Sequence, residues 1–204
     1  KHKNDFKERF LQINMITKIY VEDGIDPEEA MPGWISHEDE HTKRHSSLRP
    51  CVDGFLEYEF EGKKGILMAY RDGIPPHSSD LWVPGGEWKR GVMDPSEALK
   101  LKIKQETNLD ITDTECLGLV SILWKESPYD NQELKEGRRK RNLAEGIHDV
   151  GFAYFAKARG DLKLRTMGHP ILIVTPENYE SLMEEHKAHD YLRFFTKEAL
   201  KRIR

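Results

Sequence analysis

The sequence predicts an α/β chain, a mixed β-sheet with helices packed on it, and three observations carry that prediction. Apolar, strand-like runs recur at 51–60, 66–70, 81–83, 116–124 and 150–156. One helix, from Pro95 to about Thr107, has readable start and stop signals, and a second run of helix formers closes the chain after His189. Chain length fits as well, because 204 residues suit one domain of about 150 residues with extensions and a core large enough to fold unaided.

The helix that begins at Pro95 can be justified residue by residue. Asp94 can accept hydrogen bonds at the N-cap, Pro95 fits the first helical position, and Glu97 stands three residues after the cap where free backbone donors await an acid. Asn108 can take the left-handed conformation that ends a helix, with Leu109 folding back onto the last turn. At about 100° per residue, Ala98, Leu99, Leu101 and Ile103 are expected on one apolar arc, with Lys100, Lys104 and Thr107 on the other side. Lys102 and Glu106 fall inside the apolar arc one turn apart, close enough to pair, which marks a candidate site.

Before the helix, Cys51 to Phe60 and Ile66 to Tyr70 read as a hairpin turning at Gly62-Lys63-Lys64-Gly65, with Arg71 at the end of its second strand. A guanidinium placed there would suit bidentate contact with phosphate. After the helix, Cys116 to Trp124 and Val150 to Ala156 read as two more strands, joined by the polar stretch 125–146. That stretch carries Tyr129-Asp130-Asn131 and a basic run, Arg138 to Arg141, read as a solvated loop that could also lie over a diphosphate. Ile171 to Val174 is a candidate edge strand, and Thr175-Pro176-Glu177 opens a helix running through Met183.

The N-terminal part reads differently. Asn4 to Tyr20 suggests a helix followed by a short extended piece, and 21–49 is polar. Residues 1–49 are therefore expected to form an N-terminal helix and accessory segment, with the main domain at 50–204. His37-Glu38-Asp39-Glu40-His41 fits the spacing by which a helix offers two imidazoles and a base to zinc. The charged residues within and after it, up to His45, favour a solvated segment instead.

Composition narrows the partners. With 36 acidic and 32 basic residues the net charge is −4, so nothing global draws the chain to nucleic acid or anionic lipid. Cys51 and Cys116, 65 positions apart, have no metal-ligand spacing and read as intracellular thiols rather than a disulfide. No apolar run approaches the roughly 20 residues of a membrane span, and the charged start lacks a secretory segment, so a cytoplasmic protein is expected. The apolar hairpin and the N-terminal helix could support a homodimer.

Strand, Gly85-Gly86 turn, loop, and a helix ending Gln105-Glu106-Thr107-Asn108-Leu109 together resemble the box of the Nudix hydrolases. That family's pattern is Gly, five residues, Glu, seven residues, then Arg-Glu-aliphatic-any-Glu-Glu-any-Gly-aliphatic. Gly85, Gly86, Ile103, Glu106 and Leu109 fit, while Leu101-Lys102 stand in place of Arg-Glu, Gln105 replaces the first acid of the later pair and Asn108 replaces the Gly. The loop is one residue longer. The box is thus degenerate, and the resemblance implies a Nudix-type α/β/α sandwich around the mixed sheet.

Within that superfamily the chain is most similar to the GDP-mannose mannosyl hydrolases, over roughly 50–200. Trp82-Val83-Pro84-Gly85-Gly86, Trp124 with Tyr129-Asp130-Asn131, and His189 followed by Arg193, Phe194 and Thr196 carry that likeness. The resemblance implies a hydrolase of a nucleoside diphosphate linked to another moiety, such as a nucleotide sugar, by metal-assisted attack of water. It implies Mg²⁺, or Mn²⁺, held by the Gly85 carbonyl and Glu106; Arg71 as a catalytic and phosphate-binding cation; His189 as base; and Trp124, Tyr129 and Asp130 on the substrate. A side-chain metal ligand of that branch falls on Ala188, for which His186, Glu184 and Glu185 are nearby substitutes. The alternative is a Nudix-like protein in which Lys102 pairs with Glu106 and a nucleotide or phosphate is bound without being cleaved.

Overall fold

The structure is a computed structural model and describes residues 16–21, 49–70, 81–88, 94–124, 147–164 and 171–203. Its strands are β1 (Ile16–Val21), β2 (Arg49–Phe60), β3 (Lys63–Tyr70), β4 (Leu81–Trp82), β5 (Gly85–Glu87), β6 (Asp110–Trp124), β7 (Ile147–Arg159) and β8 (Ile171–Val174). Among the described residues the helices are α1 (Pro95–Thr107), α2 (Tyr179–Glu185) and α3 (Asp190–Leu200). The strands form one sheet in the order β1-β6-β7-β2-β3-β4, with β5 added to β2 and β8 added to β3. β1 runs parallel to β6 and β2 parallel to β7, while the β2–β3 and β6–β7 pairs are antiparallel. The sheet is mixed, as expected.

Alternation along the strands divides the core in two. Val52, Leu56, Leu67, Tyr154, Ala156 and Ala158 pack with Ala98, Leu99 and Ile103 of α1. Phe55, Ile66, Met68, Val120, Ala153 and Phe155 pack with Met183 of α2 and with Tyr191, Leu192, Phe195 and Ala199 of α3. The result is an α/β/α sandwich. Phe55 sits edge-on to Tyr191 at 5.9 Å, which fixes α3 on its face of the sheet.

Helix α1 keeps the ends its sequence announces. Asp94 Oδ1 accepts from the Ser96 amide at 2.7 Å and from the Glu97 amide at 3.4 Å, and Asn108 closes the helix in the left-handed region with φ 61°. Its arc differs from the one expected. Leu101 is 51% exposed, whereas Thr107 is fully buried. Measured from Ile103 at about 100° per residue, Leu101 lies near the opposite side and Thr107 within the packed arc. The Thr107 hydroxyl satisfies itself in the core by donating to the Ile103 carbonyl at 2.7 Å.

Other boundaries also move. The hairpin turns at Glu61-Gly62, not at 62–65, because both residues have positive φ (51° and 74°) and Phe60 pairs with Lys63, the geometry of a tight two-residue connection. β6 and β7 extend beyond the expected 116–124 and 150–156, carried through irregularities near Thr112–Glu115 and Cys116–Gly118. The helix expected from Thr175 starts at Tyr179, after a turn in which Asn178 Oδ1 accepts from the Thr175 amide at 2.7 Å. β1 lies where the short extended piece after the N-terminal helix was expected, and it pairs with β6 over all six of its residues. Both cysteines are free, and burial pushes the Cys51 thiol well above its usual range. No helix among the described residues is long and apolar enough to cross a membrane.

Candidate functional site

The β2 strand places the site by dividing its outer edge. Cys51 to Asp53 pair with β5, and Glu57 to Phe60 pair with β3. Between them the Gly54 amide donates to the Pro84 carbonyl at 2.9 Å, which pins the approach to the Gly85-Gly86 turn. Gly54 also lies beneath α1, where a methyl group would come within 3.2 to 3.3 Å of Ile103 and Leu99. This close seat brings the end of α1 down onto the turn.

Gly85 and Gly86 are required by both conformation and space. Their φ angles are 155° and 130°, and a side chain on Gly85 would meet the Val52 carbonyl and the Asp53 carboxylate. Glu106 reaches this turn from α1, its Oε2 accepting from the Gly85 amide at 3.0 Å. Its other oxygen, Oε1, lies 3.2 Å from Lys102 Nζ. The Lys102 stem crosses Gly86, with Cε 3.2 Å and Nζ 3.6 Å from where a Cβ would stand. The sequence-expected pairing of Lys102 with Glu106 is thus present, with side-chain exposures of 25% and 11%.

On the opposite face Asp53 is buried, and its Oδ2 accepts from the Tyr191 hydroxyl of α3 at 2.7 Å. Lys102, Glu106, Gly85, Asp53 and Tyr191 therefore form one polar column that passes through the sheet between its two helix layers. Sequence reading missed Asp53 and Tyr191. The available signal was a carboxylate inside the apolar strand Cys51–Phe60, on the same face as Phe55, where burial demands a partner.

Two further groups lie on the α1 face of the sheet. Trp88 packs edge-on to Phe152 at 6.0 Å, both half-buried, next to the turn. Farther along, Ser121 Oγ and His148 Nε2 are 2.5 Å apart. Desolvation holds His148 below its usual pKa, partly opposed by Asp149, whose carboxylate accepts two 2.7 Å hydrogen bonds from Arg49.

Of the residues singled out in the sequence, the structure brings Gly85 and Glu106 together. His189 belongs to the other layer, as the N-cap of α3, where its Nδ1 accepts from the Tyr191 amide at 3.1 Å. An acceptor role for Nδ1 leaves the neutral ring's proton on Nε2. The ring therefore presents a donor, and serving as a base requires giving up the cap. His186 packs against Tyr70, whose hydroxyl lies 3.1 Å from Nδ1, and Glu184 and Glu185 are exposed. Asp94 and Glu97 are spent at the start of α1, Asp94 as the cap and Glu97 on Lys100 at 2.6 Å; the Ser96 hydrogen bonds hold the Asp94 carboxyl below its ordinary pKa. Arg71, Tyr129, Asp130, the 37–45 histidines and the 138–141 basic run lie outside the described residues, and Trp124 is described only as the backbone end of β6.

Mg²⁺ needs near-octahedral oxygen ligands, usually including one or two carboxylates. Here Gly85 meets Glu106 through its N–H, the ammonium of Lys102 already sits on Oε1, and no three His, Cys, Asp or Glu side chains converge among the described residues. The described residues do not fit a divalent metal at Glu106.

No protein-family model and no curated protein matches the sequence. Among solved structures, the chain is similar to the NUDIX domain of Shewanella oneidensis NrtR in complex with ADP ribose, at 13% identity and TM-score 0.49, over 81% of this chain and 99% of that one. It is similar to a MutT protein from Bacillus halodurans at 14% identity and TM-score 0.49, over 75% and 82%. It is also similar to an Ap4A hydrolase from C. elegans at 13% identity and TM-score 0.45, over 74% and 94%.

Proposed function

We propose that the chain is a Nudix-type hydrolase that takes a nucleoside diphosphate linked to another moiety, a nucleotide sugar among the candidates, at the corner where α1 meets the Gly85-Gly86 turn. The observation that carries this reading is the Gly85 N–H to Glu106 Oε2 hydrogen bond, which joins the two best-kept parts of the degenerate box at one point. Trp88 and Phe152 beside the turn supply an aromatic surface on which a base could stack, worth about 1–3 kcal/mol per base where it forms. Arg71, Tyr129, Asp130 and Trp124 remain the proposed substrate contacts. In this reading Glu106 accepts a hydrogen bond from the attacking water on a lone pair left by Gly85 and Lys102, and so orients it.

A second reading, recognition without cleavage, is favoured by two specific observations. Glu106 is already ion-paired with Lys102, and His189 caps α3. One experiment separates the readings. ADP-ribose, GDP-mannose and related compounds are incubated with the protein, with and without Mg²⁺ or Mn²⁺, and products are resolved by chromatography. A hydrolase gives product, and Glu106→Gln, which keeps the shape but removes the charge, lowers turnover at least a hundredfold while the melting curve stays cooperative. Saturable binding with no product anywhere in the panel selects the binder.

A further inference from the structure

We infer that the Lys102 ammonium does the charge compensation at this corner that a divalent cation would otherwise do, so that the phosphates are held directly by the protein and without metal. The inference rests on the reading of the corner as a nucleoside-diphosphate site.

Four observations lead to it. An ammonium has three donors, and the described polar partner of Lys102 is Glu106 Oε1, at 3.2 Å. The side chain is one-quarter exposed, and among the described residues no other acceptor takes its remaining donors. Its stem lies against the bare Gly86, with Cε 3.2 Å from where a Cβ would stand. Finally, both oxygens of Glu106 already accept from protein donors, Oε1 from Lys102 and Oε2 from the Gly85 amide. A divalent cation entering this corner would stand beside a fixed positive charge and face the amide's positive end. A phosphate oxygen would meet an ammonium that has spare donors. The same electrostatics that exclude the metal favour the anion.

The test is titration calorimetry of the full 204-residue chain with ADP-ribose and GDP-mannose, in EDTA and then in Mg²⁺, with melting curves as the folding control. Wild-type protein is expected to bind in EDTA with a dissociation constant that Mg²⁺ changes by no more than about twofold. Lys102→Gln should weaken that binding tenfold or more, and Lys102→Arg, which keeps the charge, should restore it to within about threefold. Lys102→Glu puts two carboxylates one turn apart and should gain Mn²⁺ binding detectable by electron paramagnetic resonance, where the wild-type protein is expected to show none. Wild-type binding that requires Mg²⁺ would overturn the inference while leaving the functional reading intact. So would a folded Lys102→Gln protein that binds normally in EDTA, or a Lys102→Glu protein that takes up no Mn²⁺. Absence of binding under both conditions would instead remove the functional reading, and this inference with it.

Discussion

A single side chain can decide how this protein responds to acid, and His148 is the clearest case. Desolvation lowers its pKa in the folded chain below the ordinary value of 6.5. Above that value the ring is neutral in both states and contributes no pH dependence. As pH falls through 6.5 the unfolded chain takes up the proton first, so stability drops, and it goes on dropping until the folded-state pKa is passed. The urea midpoint should therefore fall more steeply between pH 7.5 and 5.5 for the wild-type protein than for His148→Gln. Parallel pH profiles for the two proteins would refute the assignment. The Ser121 hydroxyl can donate to Nε2 or accept from it, so this contact adjusts to either ring form, and burial supplies the pH sensitivity.

Helix ends make the next scale, and they show what kind of information a sequence holds in plain form. Both ends of α1 were legible because capping is local: Asp94, Pro95 and Asn108 act within a few residues of where they stand. α3 starts just as definitely, but its cap is His189, outside the Ser, Thr, Asp and Asn set on which cap reading relies, so its structural duty was hidden behind a catalytic expectation. The two duties can be separated experimentally. His189→Ala should cost about 1 kcal/mol of stability through loss of the cap, and His189→Asn should recover most of it. If the ring also serves as a base, the Asn protein will be stable and have lost turnover; equal turnover in His and Asn proteins leaves capping as its role.

The molecule as a whole depends on contacts that sequence does not advertise. The strands themselves were readable from apolar runs, and the hairpin from its glycines, but the parallel pairing of β2 with β7 joins Arg49 to Asp149, a hundred positions away. The Asp53–Tyr191 hydrogen bond spans 138 positions. Such partners are chosen by the assembled sheet and have no local signature. Tyr191→Phe tests how far the two layers rely on each other: it removes the hydroxyl from a buried carboxylate while keeping the ring against Phe55 and Phe195. Chemical denaturation should show a loss of about 1–3 kcal/mol. If the column matters for ligand as well, nucleotide affinity should fall with it although Tyr191 lies across the sheet from Glu106. A stability loss below about 0.5 kcal/mol would mean that Asp53 is adequately held by its other neighbours.

The branching of β2 has an architectural consequence. Because this strand lends one end to the glycine corner and the other to the hairpin, the corner hangs from the middle of the sheet, and β4 of the outer rim runs straight into it through Val83-Pro84. A displacement of β3 or β4 is therefore handed on to the geometry beneath α1 through the chain itself, which ties the recess to its periphery.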